Sequence, residues 1–130
     1  MCLFVEKIKK PKVHKNGFCT AWKVITDDNK SPFFNVISQY RVHSYQIGEN
    51  IDKFYNGIDV DYGFHLLLKK GDAKILSKDK CFSRPVKAIK VFYKPEDVIA
   101  YGKSNVTILN NLPHGVTVKK LTVKSLDEVK

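Results

Sequence analysis

The stretch Arg84-Pro85-Val86-Lys87-Ala88-Ile89-Lys90-Val91-Phe92-Tyr93-Lys94-Pro95-Glu96-Asp97 decides the fold class. Val86, Ala88, Ile89, Val91 and Phe92, with Lys87 and Lys90 interposed, suit a strand with one mostly buried face. Lys94-Pro95-Glu96-Asp97 ends it, and Asp97 closes the turn through its own backbone. Working outward, residues 18–26 are rich in aromatic and β-branched side chains around Trp22, Val24 and Ile25, and Asp27-Asp28-Asn29 turns the chain. Residues 33–45 alternate loosely through Phe34, Val36, Tyr40 and Val42 as a second, interrupted strand that Gly48 closes. Residues 62–67 form a short apolar strand, and Leu3, Phe4 and Val5 read as a buried first strand.

On the carboxyl-terminal side, residues 98–101 and 106–109 are short strands separated by Gly102, and residues 116–123 form one strand carrying Val116, Val118, Leu121 and Val123. Asp72 is placed to cap a helix through about Lys80, with Ala73, Ile75 and Leu76 turned inward. A weaker helix falls near residues 50–55. The sum is an α+β single domain over residues 1–130, dominated by an antiparallel or mixed sheet with one or two short helices. A length of 130 residues suits one core, and no linker or repeat divides it.

The chain carries 23 basic residues, 21 of them lysine, against 13 acidic ones, a formal net charge of +10. Such a field draws anionic partners before any specific contact forms. Arginine, whose planar fork reads guanine edges, occurs only at Arg41 and Arg84, so sequence-specific reading of DNA is disfavoured. No apolar run approaches the ~20 residues that span a bilayer, and Glu6 and Lys7 interrupt the start too early for a signal peptide. Cys2, Cys19 and Cys81 are odd in number and widely spaced, which fits a reducing compartment and a cytoplasmic location. His14, His43, His65 and His114 are scattered without metal-ligand spacing, and neither a metal nor a cofactor is expected.

Three function classes stay open. A pocket for a nucleotide-sized anion needs a cation, an aromatic platform and backbone N–H groups, and Arg41, Phe82 and Arg84, with His65 at a strand end, fit that need. Non-specific nucleic-acid binding would use Lys7, Lys9, Lys10 and Lys12, followed by Lys15, and a second cluster at Lys119, Lys120 and Lys124. Tyr40, Tyr45, Phe82 and Tyr93 would stack on bases, although their places in strands equally suit a core. An enzyme would use Cys2 as a nucleophile or His65 as a base, and each has a structural explanation as well.

The run Gly63-Phe64-His65, then Ala73, then Ala88-Ile89-Lys90-Val91 and Pro95-Glu96-Asp97-Val98-Ile99 resembles the carboxyl-terminal region of the rapid-lysis B proteins of T-even-type phages and small proteins of phages and large viruses. The resemblance implies a viral accessory protein acting on the host or its defences, and it brings no catalytic residues. The resulting expectation is a small cytoplasmic binding protein, not catalytic, that engages an anionic ligand or an acidic host protein. Nucleic acid is the rival partner, and an oligomer is compatible with the chain.

Overall fold

A computed structural model describes residues 3–31, 43–52, 63–78, 85–104 and 111–130. The strands are β1 (Leu3–Val5), β2 (Cys19–Thr26), β3 (Gly48–Ile51), β4 (Phe64–Leu67), β5 (Val86–Tyr93), β6 (Val98–Ser104), β7 (His114–Val118) and β8 (Lys120–Val123). A helix α1 (Lys70–Ser77) follows β4, and a 3-10 turn, Pro95–Asp97, links β5 to β6. The strands form one antiparallel sheet in the order β1-β6-β7-β4-β2-β5-β8-β3.

The spine is the β2/β5 pair, in register from Cys19 opposite Tyr93 to Thr26 opposite Val86. These are the two segments richest in β-branched and aromatic residues, so the best strand formers find each other. β4 joins β2 through Trp22 opposite Leu67, and joins β7 from Phe64 opposite Val118 to Leu67 opposite Gly115. β8 joins β5 through Phe92 opposite Thr122. Only Lys119 separates β7 from β8. The neighbours β7, β4, β2, β5 and β8 therefore make a ring that closes through one strand bent at Lys119.

Alternation then sorts the side chains. Cys19, Ala21 and Ile25 of β2 face inward with Phe64 and Leu66 of β4, Ile89, Val91 and Tyr93 of β5, Val116 and Val118 of β7, and Leu121 and Val123 of β8. Across this interior the Tyr93 and Tyr101 hydroxyls stand 3.3 Å apart, bringing β5 and β6 together although three strands separate them in the sheet. On the outside, Ala73 and Leu76 of α1 cover Val24, Leu67 and Ala88, with Trp22, Val86 and Val129 at the margin.

Several local expectations change. Asp72 does not cap α1: the N-cap is Lys69, without a side-chain hydrogen bond, and Asp72 sits in the first turn, where its charge complements the helix dipole. Asn50 and Ile51 lie in β3 rather than a helix, because Asn50 bonds its own turn and its strand pairs with β8. Gly102 does not divide two strands; β6 runs through it because β1 lies so close that a Cβ there would meet the Phe4 carbonyl. Residues 116–123 belong to two strands, and inward residues shift from even to odd numbers at Lys119, as an extra residue at a bend requires. β1 is an edge strand: Leu3 is buried, whereas Phe4 and Val5 are exposed. Residues 33–42 of the second expected strand, and 106–109, lie outside the described residues.

Candidate functional site

The residues that point away from the ring on β2, β5 and β8 assemble a surface that the sequence did not show as a unit. Outward on β2 are Thr20 and Trp22, preceded by Phe18; outward on β5 are Lys90 and Phe92, followed by Lys94; outward on β8 are Lys120 and Thr122, followed by Lys124. Thr20 opposes Phe92, which in turn opposes Thr122, and Trp22 opposes Lys90. The ammonium groups of Lys124 and Lys90 stand 4.7 and 5.6 Å from the Phe92 ring centroid, and that of Lys94 stands 5.4 Å from the Phe18 centroid. Both rings are half-buried, and the ammonium groups stand within cation–π range of them.

This face is cationic by construction. β2, β5 and β8 contain no aspartate or glutamate. Lys94 reaches Glu96 at 3.9 Å and Lys120 reaches Glu49 at 3.5 Å, both long pairs at the surface. Such exposed pairs hold their lysines weakly and leave them available to another anion. The His14 Nε2 lies 3.1 Å from the Thr20 Oγ1, and a turn at Asn16 and Gly17 leads into β2.

That turn ends the lysine-rich segment between β1 and β2. Lys7, Lys9, Lys10, Lys12 and Lys15 are all exposed along it, and the Lys10 ammonium stands 5.6 Å from the Tyr101 centroid. The backbone of Glu6 donates to the Tyr101 carbonyl, so the segment starts beside β6 and arrives at the Phe18 end of the lysine and aromatic face. Lys119 is exposed at the bend, its N–H donating to the Asp97 carbonyl, and Lys120 lies on the same face as Phe92.

His65, the leading single candidate from sequence, is buried in β4 opposite Thr117, and its backbone carbonyl accepts a 3.0 Å bond from the Lys23 ammonium. Arg41, Phe82, Arg84 and Cys2 lie outside the described residues. Tyr45 and Tyr93 are core residues rather than stacking platforms. Burial holds both phenols above the usual range, and the hydrogen bond to Tyr101 adds to this at Tyr93. Cys19 is also interior, its thiol pushed up by burial and partly brought back by a bond with Tyr93.

The face was missed because strand pairing creates it. Phe18 and Phe92 are 74 positions apart, and only the register of β2 on β5 sets them among the same lysines. The detectable signal was Phe92 at an outward position between Lys90 and Lys94.

A second feature is a cleft of about 410 Å3 where the first turn of α1 meets the ends of β6 and β7, lined by Lys69, Asp72, Lys103 and His114 over Pro113 and Leu112. Lys103 is paired with Glu6 at 3.3 Å and Asp72 shares the cleft, so its charges largely cancel. Among the described residues no three His, Cys, Asp or Glu side chains converge as a metal site, and no helix is long and apolar enough to cross a membrane. Comparison with protein-family models, with curated proteins and with solved structures finds no match to this chain.

Proposed function

We propose that this chain binds nucleic acid through its phosphate backbone, along the outer face of β2, β5 and β8. One observation carries the reading: Lys90 and Lys120 project from strands that hold no acidic residue, and Lys94 and Lys124 directly follow those strands. The lysine segment from Lys7 to Lys15 extends the same charge toward Phe18. An extended polyanion satisfies such a stripe, whereas a nucleotide-sized ligand needs an enclosing pocket, and the cleft at α1 offers one with nearly balanced charge. The resemblance to rapid-lysis B proteins extends the proposal to a viral accessory role in an infected cell, in which host or defence nucleic acid is captured without chemistry.

Fluorescence anisotropy with labelled oligonucleotides across a salt series tests the proposal. Four lysine contacts give a slope of log K against log salt of about −3 to −4. Absence of binding at low salt, or a slope near zero, overturns the reading.

A further inference from the structure

We propose that the bound strand is single, with Phe18 and Phe92 serving as platforms on which its bases stack; this rests on the nucleic-acid reading above. An outward position on a strand that shields a core is ordinarily polar. Here Phe18, immediately before β2, and Phe92 on β5, opposite Thr20, are both only partly buried, and neither is absorbed into the core under the ring or the cluster under α1. Trp22, the next outward aromatic on β2, does pack beside α1's cluster, so the open part of the surface ends there.

Over these rings stand flexible lysine ammoniums, within 4.7–5.6 Å of the centroids. Lys90 and Lys124 stand by Phe92 and Lys94 by Phe18. An exposed cation–π contact is weaker than a base stacked on an aromatic ring, so a base displaces the lysine from the face. The displaced ammonium remains on a flexible stem within reach of the phosphate attached to that base. Each platform thus supplies a ring for the base and a cation for its phosphate.

Geometry then selects single strands. Outward residues in diagonal positions on paired strands are about 7–8 Å apart, a step an unpaired strand takes with its bases splayed. A duplex keeps its base faces stacked internally and offers only backbone and groove edges. Thr20 and Thr122 stand on either side of Phe92, and their hydroxyls suit contacts to sugar or phosphate oxygens.

The test compares a labelled oligothymidylate, an abasic strand of the same length and a duplex of the same length. The oligothymidylate is expected to bind roughly tenfold or more tightly than the abasic strand, and more tightly than the duplex. Phe18→Leu with Phe92→Leu keeps apolar side chains on the strands and should bring the oligothymidylate down to the abasic affinity. Phe18→Tyr with Phe92→Tyr should retain the preference, which separates stacking from a folding defect. Equal affinity for oligothymidylate and abasic strand in the unsubstituted protein overturns the platform while leaving backbone binding intact, and duplex binding as tight as single-strand binding overturns the strand preference. Failure of all three probes to bind overturns the parent reading itself.

Discussion

Lys23 holds a buried amine whose charge is costly to the fold. It lies on the inward-facing side of β2, 7% exposed, between Ala21 and Ile25, and its ammonium donates to the His65 carbonyl at 3.0 Å. Burial lowers its pKa from the ordinary 10.5 to about 8. Between those values the unfolded chain holds a proton that the folded protein has given up, so stability rises with pH through the window. The full gain is about 3 kcal/mol, at 1.36 kcal/mol for each tenfold change in proton affinity. Below about pH 8 both states are protonated and the penalty is constant. Lys23→Met removes the charge at similar volume, so its stability should lack this rise. Tyr45 and Tyr93, kept neutral by burial, act in the opposite direction as the unfolded phenols ionise near pH 10, equally in both proteins. Urea denaturation at intervals from pH 7 to pH 10 checks the difference, and parallel curves for the two proteins would refute it.

Among the elements, β1 depends on a glycine of its neighbour. The Phe4 carbonyl lies over Gly102, and any side chain there pushes β1 off β6. Gly102→Ala should cost about 1–3 kcal/mol through this overpacking. Thermal denaturation measures the cost, and amide exchange should show protection at Leu3–Val5 lost ahead of the remaining strands. Gly71→Ala, where a Cβ meets nothing within 4 Å, is the control and should leave stability unchanged or slightly raised. Equal effects of the two substitutions would exclude close approach as the reason for Gly102. The elements also show what a sequence can announce. The cores of β2 and β5 were legible because β-branched runs end in turn residues, and β4 because a short apolar run leads into Lys69-Lys70-Gly71. The helix α1 was legible in part: Ala73 and Leu76 turn inward, whereas Ile75, expected with them, is exposed. Continuity through Gly102 was not, because its reason lies in β1, almost a hundred residues away.

At the scale of the whole molecule, the charge was legible and its placement was not. A net charge of +10 predicts an anionic partner wherever the lysines fall. The site depends on which of them strand pairing lines up, and that register is a tertiary fact. The bend was half-written in the sequence: Val116 and Val118 are even, Leu121 and Val123 are odd, and the change of phase at Lys119 marks it. The lysine stripe makes a prediction about the molecule as one electrostatic surface. Lys90→Gln with Lys124→Gln should make the salt slope for a single strand shallower by about 1.4, since each lost contact removes about 0.7. Glutamine at Lys70 and Lys78, at the ends of α1, should change the slope far less. The two double variants compared in one anisotropy titration series decide the matter, and equal losses would show that net charge rather than the stripe governs binding.

The bend at Lys119 also imposes a timetable on synthesis. When a ribosome has delivered the chain as far as Pro113, β2, β4 and β5 are present, yet the strand that joins β5 back around to β4 has still to emerge. Ala21, Ile89 and Val91 then line a trough rather than an interior, open along the side that Val116, Val118, Leu121 and Val123 later cover. One late segment supplies both halves of that cover, so the nascent protein passes through a stage with its apolar lining uncovered. Sealing is a single event that waits for the chain through Val123, and until it occurs the apolar lining stays exposed to solvent.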